Sequence, residues 1–252
     1  FDRDQWNALA GTDNPFVSYE FLTALEDSGS VGAGTGWQPA PLVISEDDGP
    51  LVSAMPAYLK GHSQGEYVFD HNWADAYERA GGNYYPKLQI AAPFTPATGP
   101  RLLLSDDAFA APLLAAAEQL CLQNRFSGAH ATFIEPAQQP LFEAAGWMLR
   151  ADIQFHWHNH GFASFDEFLE TLASRKRKDL RKERAAAQAE VEIRRLSGDD
   201  IRSEHWDAFW RFYQDTGARK WGQPYLTRAF FSILGKTMAD RVLLMLALRD
   251  GR

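Results

Sequence analysis

Residues 164–190 read SFDEFLETLASRKRKDLRKERAAAQAE, and the layout of the whole chain turns on what this stretch separates. Ser164 followed by Glu167 is a capping box, which satisfies orphan backbone donors and starts a helix. Phe165, Phe168, Leu169 and Leu172 recur at helical spacing and give the first turns one apolar face. Then the chemistry changes. Arg175, Lys176, Arg177, Lys178, Arg181, Lys182 and Arg184 place seven cations within ten residues, against only Asp179 and Glu183. Such a run reads either as a solvated helix face, relieved by i,i+4 pairs, or as a site for an anion. The anion could be the phosphates of a cofactor, a nucleotide-linked substrate or an RNA acceptor stem.

Outward from this stretch, similar parts stand on both sides in the same order. Upstream, the patterns predict helices over 4–9 and 19–27, the second capped by Ser18 and stopped by Gly29. A hairpin comes next, with strands over 42–45 and 51–58 flanking Glu46-Asp47-Asp48-Gly49. Residues 60–101 are loop-rich, with short strands near 67–69 and 88–91. Then come a helix over 108–125, a strand over 131–135, a short helix over 140–145 and a strand over 152–158. Downstream the order restarts with a strand over 191–196 and an aromatic helix capped by Ser203. A helix over 229–236 capped by Thr227 and an apolar strand over 242–248 complete it. Trp6, Phe21-Leu22, Leu25 and Asp48-Gly49 find counterparts in Trp206, Phe230-Phe231, Leu234 and Asp250-Gly251. Two copies of one α/β unit are therefore expected. The first domain covers 1–160, a basic connecting helix 161–190, and the start of a second domain 191–252. That second copy reads as cut short, because the turn signal Asp250-Gly251 has no return strand after it, which leaves 242–248 as a sheet edge.

Composition narrows the classes. At 252 residues, with 45% hydrophobic and 23% charged residues, the chain can bury one large core or two modest ones. A formal net charge of -8 argues against a general DNA-coating protein, so the local cationic strip suits a defined anionic ligand better. No apolar run approaches the ~20 residues that span a bilayer, and no signal peptide is legible. The single cysteine, Cys121, lies in a helical Ala/Leu pattern and reads as a small buried hydrophobe. Cytoplasm is the expected compartment.

The basic segment also carries a resemblance. Phe165-Asp166-Glu167-Phe168-Leu169, followed by Ser174-Arg175-Lys176-Arg177-Lys178 and Arg181-Lys182-Glu183-Arg184, resembles FemAB-like proteins. The match extends through Asp13-Asn14-Pro15-Phe16, Glu66-Tyr67-Val68-Phe69-Asp70 with His71 and Trp73, and Tyr84-Tyr85-Pro86-Lys87-Leu88. It continues in Pro93-Phe94-Thr95-Pro96, Gly99-Pro100-Arg101 and Lys220-Trp221-Gly222-Gln223-Pro224-Tyr225. The chain is thus similar to predicted N-acyltransferases described as peptidoglycan biosynthesis/recognition. The resemblance implies tandem GNAT-like domains, with an acyl donor held where two central parallel strands splay apart. The donor would be an acyl-CoA or an aminoacyl-tRNA, and the acceptor an amine, in a small molecule or a peptidoglycan precursor. The usual phosphate loop of coenzyme A enzymes is missing from the first unit, so no cofactor is assigned.

For such chemistry one general base helps the amine lose its proton. Asp70 with His71 is the candidate, in an aromatic loop with Trp73, Tyr77, Tyr84 and Tyr85; the alternative is a turn cap beside a packed histidine. Lys87 and Arg101 bracket residues 93–99 and could clamp a carboxylate or phosphate, or stand as surface charges. Arg175, Arg177 and Arg181 represent the cationic strip. Lys220 and Trp221 could grip a sugar, base or peptide, or Trp221 could cap the core. His156, His158 and His160 alternate along the expected strand, a spacing that can hold a metal. No matching carboxylate or cysteine cluster accompanies them, so no metal is assigned. The competing functional reading is a non-catalytic module for an anionic glycan or nucleotide conjugate. A third is docking of the basic helix on RNA or an anionic membrane surface.

Overall fold

The computed structural model describes residues 1–47, 49–219 and 222–251, and by contacts they divide into two compact units. The first holds Phe1–Leu149 with Arg202–Arg241; the second holds Arg150–Ile201 with Val242–Arg252. This division departs from the boundaries read in the sequence, because residues 202–241 pack with the opening elements. Both units are mixed α and β.

The first unit opens with α1 (Arg3–Ala10) and α2 (Tyr19–Asp27), each begun by a side-chain cap, Asp2 on Gln5 N and Ser18 on Phe21 N. Strands β1 (Trp37–Pro39), β2 (Leu42–Ser45), β3 (Leu51–Met55) and β4 (Ala57–Lys60) come after them. The single strand expected over 51–58 is in fact β3 and β4, which belong to different sheets. Pro56 sits at the break, where it has no N–H to give to a ladder. Next come α3 (His71–Arg79), β5 (Lys87–Ile90), β6 (Leu103–Leu104), α4 (Ala110–Asn124), β7 (Ala129–Ala131) and α5 (Gln139–Ala144). The strand expected at 67–69 does not form; Tyr67 there has a left-handed φ of 56°. The expected strand at 131–135 overlaps β7 only at Ala131, with one isolated parallel bridge further on, from Ile134 to Gly99. Asp48, in the expected hairpin turn, lies outside the described residues.

One sheet has the order β1-β4-β5-β7, antiparallel except for the parallel β5–β7 pair; the other, β2-β3-β6, is antiparallel. Alternation along β4 and β5 divides their side chains between two faces. Ala57 and Leu59 with Leu88 and Ile90 face one way and pack with Leu113, Leu114, Ala117 and Cys121 of α4 in the apolar core. Tyr58 and Lys60 with Lys87 and Gln89 therefore face the other way. That second face is buried too, at 2% or less for each of the four.

The unit is completed by α8 (Ser203–Arg219) and α9 (Arg228–Thr237). Thr227 caps α9 on Phe230 N, as Ser18 caps α2 on Phe21 N. The caps stand at the same place in two parallel strings, PFVSYEFLTAL over 15–25 and PYLTRAFFSIL over 224–234. The two helices also pack on each other. Phe21 meets Phe230 edge-on at 5.8 Å, and Thr227 bonds both Ser30 Oγ (3.1 Å) and the Ser28 carbonyl (2.9 Å).

In the second unit, α6 (Phe165–Glu170) begins with the expected Ser164 cap, while Glu167 reaches back one residue beyond the cap and not to Ser164 N as a capping box would. Glu167 N donates to Ser164 Oγ, and Glu167 Oε2 accepts from Ala163 N. The chain then breaks, and the cations lie on a separate helix, α7 (Ser174–Gln188), which buries no residue. Strands β8 (Glu192–Leu196) and β9 (Leu244–Leu248) pair antiparallel along their length. The segment 152–158, expected as a strand, has no regular structure and is exposed. Without a strand, the alternation that would have aligned His156, His158 and His160 on one face is lost.

Candidate functional site

Lys60 and Lys87 are direct cross-strand partners on β4 and β5, and neither is exposed to solvent. Like charges placed opposite one another repel, and each buried ammonium has lost its water. The loop 61–70 supplies the compensation. Its Glu66 and Asp70, 4% and 3% exposed, bring two carboxylates to the two ammonium groups.

The four charges are unequally matched. Lys87 Nζ donates to Asp70 Oδ2 at 2.6 Å, Glu66 Oε2 at 2.8 Å and Ser63 Oγ at 3.0 Å. Three good acceptors fill its three donor positions. Asp70 Oδ2 also accepts from the Tyr84 hydroxyl at 2.8 Å, and Ser63 Oγ is bonded to the Tyr85 hydroxyl at 2.7 Å. Lys60 fares worse. Its Nζ donates to the Gln64 carbonyl at 3.1 Å, lies 3.6 Å from the Trp37 ring centroid, and stands 3.8 Å from Glu66 Oε1. Two oxygens, Glu66 Oε1 and Asp70 Oδ1, accept no hydrogen bond although both are buried.

These environments push the two acids apart. Burial raises the Glu66 carboxyl, and the charges of Lys87 and Lys60 only partly oppose it. Burial alone would raise Asp70 as well, but the hydrogen bond and charge of Lys87, with the Tyr84 hydroxyl, hold it down to about 2. Lys60 is driven down to about 7 by burial and by Lys87, against the pull of Glu66 and Asp70. Two carboxylates with separated proton affinities in one site are the arrangement that acid–base chemistry uses.

An aromatic wall closes one side. Trp37 packs edge-on against Tyr58 (5.5 Å) and Phe94 (5.3 Å), and Phe94 stacks on Tyr225 at 5.1 Å and 4°. A Cβ at Gly65 would sit 2.8 Å from the Phe94 ring, so glycine is needed there for the loop to pass. Phe94 and Tyr67 both hold left-handed backbone, φ 58° and 56°, a conformation bulky residues adopt at a cost. Nearby, Tyr67, Phe69, Trp73 and Tyr77 form an exposed aromatic rim.

Of the residues singled out in the sequence, Asp70 and Lys87 come together here. His71 starts α3 and is exposed, so it does not form a buried dyad with Asp70. Arg101 is 1% exposed and engaged with the backbone; its guanidinium donates to the carbonyls of Thr132 (2.7 Å), Ala97 (2.8 Å) and Pro100 (3.1 Å) and braces the 97–101 loop. Burial lowers it to about 10. Arg175, Arg177 and Arg181 lie on α7 of the second unit; Arg181 bonds Asp166 at 3.0 Å, and Arg184 covers the Phe165 ring at 4.2 Å. Lys220 and Trp221 lie outside the described residues. Among the described residues no group of three or more His, Cys, Asp or Glu side chains could hold a metal ion. Lys60, Glu66, Ser63 and Tyr84 were not read as site residues. The signal for them was a lysine closing β4 and another opening β5 on the same face, which becomes visible only once the pairing is known.

The first unit also has an open polar cavity of about 260 Å³ bordered by Arg3, Asn7, Asn14, Glu20, Asp240 and Arg241. Its cations are already engaged, Arg3 by Glu20 and Arg241 by the Thr12 carbonyl. No helix among the described residues is long and apolar enough to cross a membrane. A family model described as FemAB-like, peptidoglycan biosynthesis/recognition, matches residues 1–252. No curated protein matches the chain.

Proposed function

Because the chain belongs to the FemAB-like family, we propose that it transfers an acyl or aminoacyl group to an amine of a peptidoglycan precursor, with the buried β4–β5 cluster as its acid–base centre. The observation that carries this reading is the pair of unequal carboxylates, each with one oxygen that accepts no hydrogen bond. The attacking amine must lose a proton as its nitrogen bonds to the carbonyl carbon. Glu66, whose proton affinity is raised, is suited to receive it; Asp70 stays ionised and steadies the positive charge that builds on nitrogen. Glu66 thus replaces the Asp70–His71 pair as the base.

Two features support tandem GNAT-like domains. The capped strings at 15–25 and 224–234 read as copies of one motif. The β5–β7 pair is the one parallel pairing between the named strands. It ends where Thr132 N donates to the Ile90 carbonyl; Gly99 N then takes the Phe133 carbonyl at 3.0 Å, in the place β5 has left. A donor site is proposed at that parting. The exposed cations of α7 suit the phosphates of an acyl-CoA or an aminoacyl-tRNA, and the cytoplasm is the compartment proposed.

The test is turnover by the purified full-length protein with acyl-CoA and aminoacyl-tRNA donors and an amine-bearing precursor. Product with either donor class supports the reading; no transfer with both, at high enzyme concentration, overturns it. The alternative, a non-catalytic binder of an anionic glycan or nucleotide conjugate, draws on the near-complete burial of Glu66 and Asp70. It predicts binding of the precursor without turnover.

A further inference from the structure

Lys60 is the least compensated charge in the cluster. Lys87 has a full set of acceptors, whereas Lys60 has one carbonyl, an aromatic face and a carboxylate oxygen beyond hydrogen-bond range. That oxygen, Glu66 Oε1, is itself unbonded and buried. An incompletely matched ammonium and an incompletely matched carboxylate thus stand 3.8 Å apart with no solvent access.

We propose that Lys60 and Glu66 share a single proton, with Lys60 the member that gives it up. Moving the proton from Lys60 to Glu66 turns a charged pair into a neutral one and leaves the cluster's net charge unchanged, so it relieves two desolvated charges at once. The neighbours on every side favour this. From β5, the fixed charge of Lys87 repels the Lys60 ammonium; from the loop, Asp70 attracts it but is held by Lys87 and Tyr84. From β1, Trp37 offers only its ring. His62, another titratable group nearby, is itself lowered by burial and by Lys60, and an imidazole, neutral or protonated, offers no negative charge to hold the ammonium. Burial lowers Lys60 to about 7 and raises Glu66, the directions this sharing requires.

The inference rests on the acyl-transfer reading only for its use. With the shared proton on Lys60, Glu66 is ionised and can take the amine's proton at Oε1. As the new N–C bond forms, the bond from carbonyl carbon to donor breaks with its electron pair leaving on the donor's oxygen or sulfur, and Glu66 passes the proton to that leaving atom.

The experiment is a pH titration of the full chain carrying ¹³C-labelled lysine, read at the seven lysine Cε positions by NMR. One resonance should titrate near pH 7, vanish in Lys60→Met, and keep its midpoint to within about one pH unit in Glu66→Gln, where the amide stands in for the protonated carboxyl. If Lys60→Met does not fold, loss of the same resonance in Lys60→Arg makes the assignment. Every lysine remaining charged past about pH 9, or a midpoint that falls by more than about one pH unit in Glu66→Gln, as an ordinary ion pair would give, would overturn the proposal. No donor or acceptor enters this measurement, so a failed transfer assay would sink the enzymatic reading and leave the proton pair standing.

Discussion

The β4–β5 cluster and helix α7 are both crowded with charge, and they handle it in opposite ways. In α7 seven cations fall within ten residues of sequence and none is buried; Arg181 meets Asp166 and Arg184 covers the Phe165 ring. In the cluster the cations are twenty-seven positions apart, buried, and answered by acids from a loop between them. The first arrangement is conspicuous in sequence and costs the fold little, because solvent screens it. The second is inconspicuous and costs a good deal, because every group has been desolvated. Where a fold carries such a burden, a use for it is the natural inference.

The sharpest way to break the comparison is to remove one cation from each region. Lys87→Met should strand Glu66 and Asp70 without their shared partner and lower stability by about 3–5 kcal/mol, measured by chemical denaturation. The triple change Arg175→Ala, Arg177→Ala and Arg181→Ala should leave the denaturation midpoint where it was. Equal effects would erase the distinction.

Acid unfolding sharpens it next. The folded Asp70 carboxyl is held at about 2, below its unfolded value of ~3.9. It therefore contributes stability that is fully present above about pH 4 and is lost as the pH falls from there through 2, on the order of 2 kcal/mol in all. Asp70→Asn should flatten that limb of the stability–pH curve. Glu66 has the opposite sign: its raised carboxyl makes the ionised form a cost at neutral pH that protonation relieves. Tyr84→Phe is a smaller cut, removing one hydrogen bond to a charged oxygen, and should cost about 1–2 kcal/mol in the same denaturation experiment. Smallest in stability, the α7 triple variant should elute from an immobilised polyanion at lower salt than the wild type. No change in elution would mean the strip is only a solvated face.

Much of the frame was legible from local signals. Ser18, Ser164 and Thr227 announced their helices because a cap acts within three residues of itself. The failures lie where distant partners decide. Residues 51–58 read as one strand because a mostly apolar run follows the turn at 46–49 and continues past Pro56, and only the pairing partners show that the chain changes sheets there. Residues 152–158 have strand composition but form no strand, since strands exist only where a neighbouring strand completes the ladder. In the site, Asp70 stood out through its aromatic surroundings, and Lys87 as one of the two cations that bracket residues 93–99. Lys60 and Glu66 did not, since nothing local says that Lys60 will face Lys87. Arg101 was misread for the same reason: its role comes from carbonyls brought to it by a loop.

The most direct test compares Glu66→Gln with the α7 triple variant in the transfer assay, using acyl-CoA and aminoacyl-tRNA donors with an amine-bearing peptidoglycan precursor. Glu66→Gln, still folded by circular dichroism, should lose about 10²-fold or more in kcat, while the α7 variant should keep its kcat and show a raised KM for donor. A Glu66→Gln protein that turns over at the wild-type rate would contradict it.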